Sequence, residues 1–162
     1  MNTIFLITGG NIGDRKINLE RAAILIEKNI GSIIQSSSIY ETEAWGNTGQ
    51  SSFYNQVHIV ETNLRAEILM ETILKIEKEM GRIRTIKNAA RIIDIDILFF
   101  NDEIINTRNV TVPHIEIPNR RFVLSPLNEL SPSFIHPALK KSIRELFSEC
   151  KDELTATPIS IW

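Results

Sequence analysis

An α+β fold is expected, because strand-like and helix-like stretches follow one another in the order β-α-β-β-α-β along a single short chain. Three observations carry this. Short β-branched and apolar runs end at Gly or Asn positions, two longer stretches repeat apolar residues at helical spacing, and no Pro-, Gly- or Ser-rich linker divides the chain. That order is the split β-α-β arrangement of ferredoxin-like folds, with a mainly antiparallel sheet and helices packed on its faces. Residues 1–162 are therefore expected to form one domain.

The first strand is expected over residues 3–8, a β-prone run that stops at Gly9-Gly10. Gly9, Gly10 and Gly13 lack the Lys-Ser/Thr pair of a phosphate-binding loop, so a tight turn is their expected role. Asp14 is a plausible N-cap for a helix over 15–29, in which Ile17, Ala22, Ile24, Leu25 and Lys28 fall in register. Residues 32–40 read as a second strand, 41–52 as a polar loop holding Trp45, and 54–61 as a third strand. In the helix expected over 64–80, Leu64, Ile68, Leu69, Ile73, Ile76 and Met80 form one apolar stripe, and Gly81 ends it. A basic loop, 82–90, leads into a strand over 91–100. Asn101-Asp102 is expected to turn residues 103–105 back as its hairpin partner. Residues 111–122 read as irregular, and short helices near 123–130 and 138–148 close the chain.

With 162 residues, 43% hydrophobic and 23% charged, the composition is that of an ordinary globular domain able to bury a core. A net charge of −2 argues against nucleic-acid binding, which calls for a basic excess. An RNA-binding domain of this topology would also need exposed aromatics on its central strands. The run from Ile4 to Ile7 is too short for a secretory leader, and no stretch approaches a membrane span. Cys150 stands alone and fits a reducing compartment. A cytoplasmic monomer is expected, with small-molecule partners and neither nucleic acid nor membrane.

The most informative stretch is Arg91-Ile92-Ile93-Asp94-Ile95-Asp96-Ile97-Leu98. Carboxylates two apart on a strand project from one face. The bland reading is a solvated face of a half-buried sheet. Yet two like charges side by side call for a neutralising cation. Mg²⁺ suits this spacing, because it accepts one or two carboxylates, keeps waters and completes its shell with substrate phosphates. Residues 82–91 carry Arg82, Arg84, Lys87 and Arg91 and no acid, the ingredients for gripping a polyphosphate beside that metal.

With these pieces in place the chain resembles the 6-hydroxymethyl-7,8-dihydropterin pyrophosphokinases of folate biosynthesis. Arg91-Ile-Ile-Asp-Ile-Asp matches that family's Arg-x-x-Asp-(Ile/Leu)-Asp signature, followed by Val112-Pro113-His114 and by Arg120-Arg121-Phe122-Val123-Leu124-x-Pro126-Leu127. Gly9-Gly10-Asn11-Ile12-Gly13 is similar to its N-terminal turn, and Tyr40-Glu41-Thr42 with Phe53-Tyr54-Asn55 to its pterin-binding stretch. The resemblance implies transfer of a diphosphate from ATP, the co-substrate, to the pterin hydroxymethyl group, with release of AMP. It implies two Mg²⁺ ions on Asp94 and Asp96, and Arg82 and Arg91 as the cations acting on the transferring phosphates. Glu77, Arg84, Ile97, Thr111, His114 and Arg120 would serve the nucleotide. Phe53 and Phe122 would stack on the pterin, with Thr42 and Asn55 reading its polar edge.

The match departs at two places. Family members commonly carry a Trp and a Pro before the signature, where this chain has the shorter run Lys87-Asn88-Ala89-Ala90. Glu43-Ala44-Trp45-Gly46 replaces a Pro-rich turn, so that Trp45 would supply part of the missing cover over the pterin. Loops 41–52 and 82–90 are expected to close over the substrates. A degenerate member that binds pterin and nucleotide without turnover is the alternative.

Overall fold

The computed structural model describes residues 1–44, 49–83 and 90–159. Its elements run β1 (Asn2–Gly10), α1 (Arg15–Asn29), β2 (Gly31–Ser36), β3 (Tyr40–Thr42), β4 (Phe53–Thr62), α2 (Ala66–Glu79) and β5 (Asp94–Phe100). They continue with β6 (Ile105–Asn106), β7 (Thr111–Val112), a 3₁₀ turn (Ile117–Asn119), α3 (Arg121–Leu130), α4 (Ile143–Glu149) and β8 (Thr157–Pro158). Antiparallel pairing gives the order β5-β1-β4-β3-β8, with β2 sharing the β3 edge of β4. This is the ferredoxin-like core that the element order implies. Among the described residues no helix is long and apolar enough to cross a membrane.

Strand alternation divides the core in two. Ile4 and Leu6 of β1 and Ile95 and Ile97 of β5 pack against Leu19, Ala22 and Ile26 of α1 and Leu69, Ile73 and Ile76 of α2. Phe5 and Ile7 face the other way, with Leu98 and Phe99, onto Val123, Leu124 and Leu127 of α3 and Ile143 and Leu146 of α4. Leu98 and Phe99 are neighbours in sequence yet share one side, because the β1–β5 register slips between Phe5↔Phe99 and Leu6↔Ile97. This bulge reverses the alternation. Phe99 thereby joins Phe5 and Phe134 (ring centroids 5.5 and 4.7 Å away), while Asp94 and Asp96 keep the same side of the sheet.

Four expectations are corrected. The strand foreseen over 32–40 is two strands: the Ser37 hydroxyl accepts from Val57 N (3.0 Å) and its carbonyl accepts from Gln56 Nε2 (2.8 Å), taking up ladder positions. Residues 103–105 do not fold back on the Asp-x-Asp strand; β6 pairs with β7 instead, and β5 finds other partners, Leu98 O accepting from His114 N (3.0 Å) and Ile95 N donating to Glu77 Oε2 (2.8 Å). Helix α1 buries Asn18, Leu19, Ala22 and Ile26, leaving Ile17 and Ile24 exposed, since apolar residues lie on both sides of it. Gly9 and Gly10 are the last residues of β1, and the turn begins beyond them. The foreseen caps hold: Asp14 accepts from Ile17 N (3.1 Å), and Gly81, with φ of +92°, follows α2.

Candidate active site

At the C-terminal end of β1, a solvent-open cleft lies between the sheet and the start of α3. Its wall includes Thr42, Phe53, Asn55, Arg91, Asp94, Asp96, Arg120 and Phe122, eight residues foreseen from the sequence. Cross-strand pairing explains the convergence: Gly9 is flanked by Asn55 on one side and Asp94 on the other, and Thr42 faces Phe53. Residues 42, 53, 55, 94 and 96 thus share the α3 side of the sheet, and Phe122 projects from the first turn of α3.

Asp94 is held by two guanidinium groups. Arg82 Nη1 donates to Asp94 Oδ1 (2.6 Å) and to Ile93 O (2.9 Å), and Arg91 Nη1 donates to Asp94 Oδ2 (3.0 Å). Arg91 also lies over the Phe53 ring (5.4 Å), and Arg120 over the Phe122 ring (4.7 Å), so a cation stands against each aromatic platform. The backbone of Arg91 is pinned by Asn11, whose N donates to Arg91 O and whose Oδ1 accepts from Arg91 N, both at 2.9 Å. Arg120 pairs with Asp152 (3.6 Å), and Arg121 is tied to Asp152 and Cys150, which anchors the chain after α4 against the start of α3.

Thr42 Oγ1 is buried with no hydrogen-bond partner among the described residues, although it lies in the wall of the cleft. A buried hydroxyl without a partner is a costly arrangement unless a ligand supplies one. Asn55, 7% exposed, sits beside it on the same wall. Two flat rings and two polar side chains form a slot suited to a planar heterocycle with a polar edge.

Of the other foreseen residues that the structure describes, Glu77, Arg82, Ile97, Thr111 and His114 are not part of this wall. Glu77 is 2% exposed; its Oε2 accepts from Ile95 N (2.8 Å) on the open edge of β5 and approaches Arg82 Nη1 (3.8 Å). It braces the arginine from behind. The Ile97 side chain belongs to the core on the α1–α2 side. Thr111 is exposed on β7. His114 is half-buried and bonded through its N to Leu98 O (3.0 Å); burial lowers its pKa from the ordinary value, and the negative charges of Glu116 and Asp94 pull the other way. Arg84 and Trp45 lie outside the described residues. Gln50, Asn11 and Asp152 were not foreseen. Polar residues in loops carry no periodic signal, and only the fold shows which of them meet.

The sequence profile of the 7,8-dihydro-6-hydroxymethylpterin-pyrophosphokinase family matches residues 5–132. The 2-amino-4-hydroxy-6-hydroxymethyldihydropteridine pyrophosphokinase of Aquifex aeolicus is 39% identical over 149 residues, covering 92% of each chain. The chain belongs to this pyrophosphokinase family. The Bacillus subtilis pyrophosphokinase is 38% identical, over 80% of this chain and 78% of its own. The Dictyostelium discoideum folic acid synthesis protein FOL1 is 40% identical over 85% of this chain, which spans only 21% of that longer protein. Among solved structures, Plasmodium falciparum HPPK-DHPS superposes with a TM-score of 0.74 at 22% identity, covering 92% of this chain and 43% of that one. At that identity the likeness speaks for the pyrophosphokinase fold.

Proposed function

We propose that this pyrophosphokinase transfers the terminal diphosphate of ATP to the hydroxymethyl oxygen of 6-hydroxymethyl-7,8-dihydropterin, in folate biosynthesis. The observation that carries this reading is the meeting, in one cleft, of the Asp94–Asp96 carboxylates with the slot of Phe53, Phe122, Thr42 and Asn55. In the reaction the hydroxymethyl oxygen attacks the β-phosphorus and the bond from that phosphorus to the α–β bridging oxygen breaks. AMP leaves with the bridging oxygen, and the hydroxyl proton goes to solvent.

The chain's own work is positioning and charge stabilisation. Phe53 and Phe122 hold the ring between them, and Asn55 and the unpartnered Thr42 hydroxyl select its polar edge. Arg82 and Arg91 rest on Asp94 and in this reading act on the transferring phosphates. Their shift from carboxylate to phosphate follows charge accumulation on the transferring group. Arg120, stacked on Phe122 and leaning on Asp152, and the half-buried His114 flank the nucleotide side. Glu77 keeps Arg82 aimed.

No group of three or more His, Cys, Asp or Glu side chains is poised for a metal among the described residues. Asp94 and Asp96 nevertheless fit Mg²⁺, which needs no more than two carboxylates when phosphates and water fill its shell. Bound there, one or two such ions would neutralise the phosphates and polarise the attacking and leaving oxygens.

The test is a product assay with ATP, Mg²⁺ and 6-hydroxymethyl-7,8-dihydropterin, read by mass. AMP with the pterin diphosphate supports the reading. ADP with a pterin monophosphate would replace the cleaved bond, and binding of both substrates without product would favour the non-catalytic alternative.

A further inference from the structure

Arg15 opens α1, where a cation opposes the helix dipole and where the first turn holds no acid. Its partners account for its presence there. Arg15 Nη1 donates to Ser52 O (2.8 Å) and Ser52 Oγ (2.7 Å) and lies 3.4 Å from Glu41 Oε2. The Ser52 hydroxyl donates in turn to Glu41 Oε2 (2.6 Å), and the guanidinium lies 3.8 Å from the centre of the Tyr54 ring. Arg15 of α1, Glu41 of β3, Tyr54 of β4 and Ser52 just before β4 are thereby locked together.

Their place in the sheet gives this lock a consequence. Glu41 is the cross-strand partner of Tyr54, and Thr42 that of Phe53. Side chains alternate, so Glu41 and Tyr54 project behind the sheet, where Tyr54 packs on the α1–α2 core, while Thr42 and Phe53 project into the cleft. The Arg15 cluster lies directly behind the pterin slot. Strand β3 is three residues long and, among the described residues, is backed on its outer edge only by the two-residue β8, so its ladder alone is a weak support. Next to the clamp, Asn11 Nδ2 donates to Ser51 O and to the side-chain Oε1 of Gln50, both at 3.0 Å, so the successive carbonyls of Ser51 and Ser52 that lead into Phe53 are held by Asn11 and Arg15.

We propose that Arg15, with Glu41, is a positioning residue for the pterin: it fixes the Thr42–Phe53 pair from behind and so sets affinity for that substrate and not for the nucleotide. This inference rests on the pterin reading of the cleft. With side chains 25% and 42% exposed, the Arg15–Glu41 pair contributes little to global stability. Its effect is local, on the orientation of a stacking ring and a hydroxyl. Misplacement of such groups weakens binding without unfolding the chain.

The experiment is titration calorimetry of wild type, Arg15→Met, Arg15→Lys and Glu41→Gln with 6-hydroxymethylpterin and, separately, with a non-hydrolysable ATP analogue and Mg²⁺, alongside thermal melts. Arg15→Met retains the stem and removes the donors; its pterin Kd should rise roughly tenfold while its nucleotide Kd stays within about twofold. Arg15→Lys, which can still donate to Ser52 O, should recover part of the loss, and Glu41→Gln should show the same selectivity at smaller size. Pterin binding within about twofold of wild type in Arg15→Met overturns the proposal. So does an equal loss of both ligands, which would mark a residue that only holds the fold together. A wild type that binds nucleotide but no pterin would remove the pterin reading itself, and this inference with it.

Discussion

Replacing Gly9 by Ala should disable the pterin slot while leaving the nucleotide side intact. Gly9 sits between its ladder partners Asn55 and Asp94. A Cβ built there would overlap Asn55 Oδ1 and come within 2.9 Å of Asn55 Cγ and 3.2 Å of Tyr54 O, so the Asn55 amide must swing away. Two ligand hydrogen bonds from that amide, at about 1 kcal/mol each net, would be lost. Added strain brings the total to roughly 2–3 kcal/mol, or roughly 30- to 150-fold in pterin Kd. Overpacking of this kind costs about 1–3 kcal/mol of stability, partly offset by the lower chain entropy of Ala. A chain of this size should then melt a few degrees lower, at about 2–4 °C per kcal/mol. Calorimetric titration with pterin and with an ATP analogue reads the difference. In a double-mutant cycle, Asn55→Ala added to Gly9→Ala should cost almost nothing further, because the amide has already been displaced. Unchanged pterin affinity, or equal loss of both ligands, would refute the reasoning.

Asp96→Asn should lower Mg²⁺-dependent turnover by roughly a thousandfold while the circular dichroism melt stays near wild type; near-normal turnover would remove the metal assignment. Arg82→Met should reduce kcat by roughly a hundredfold or more with much smaller changes in KM, and a pure affinity loss would contradict its role on the transferring phosphates. Phe99→Ala deletes a ring that is 1% exposed and packed on Phe5 and Phe134, so urea melts should show a loss of about 3–5 kcal/mol. His58, 1% exposed with Nδ1 2.7 Å from Ser36 Oγ, has its pKa lowered to about 4 by burial. The unfolded chain therefore takes up the extra proton, so stability is complete above pH 6.5 or so and is lost as pH falls towards about 4. The loss amounts to about 3 kcal/mol, and His58→Gln should flatten that part of the urea-midpoint profile.

Much of the fold could be read locally, and the misreadings have local reasons too. The α2 stripe of Leu69, Ile73 and Ile76 is one-sided, and all three are buried. Helix α1 carries Ile17 and Ile24 on its solvent side, so periodicity there did not single out the packed face. The break between β2 and β3 depends on the Ser37 hydroxyl standing in for a backbone acceptor, which no run of residue types reveals. For the site, Thr42, Phe53, Asn55, Arg91, Asp94, Asp96, Arg120 and Phe122 line one cleft, while Glu77 accepts from Ile95 N on the edge of β5 and the Ile97 side chain lies in the core.

The sequence by itself determined the order of elements and the shared face of Asp94 and Asp96, because a strand's side-chain period of two is a property of the strand alone. It also determined the family, through side chains at set separations along the chain. Tertiary structure decided which layer those carboxylates share with Phe122, and that two arginines meet on Asp94. It decided equally that Asn11 holds Arg91 across 80 residues and that Arg15 backs the slot. Those contacts depend on strand pairing and register, and pairing is set by the packing of the whole sheet between two helical layers rather than by any local pattern.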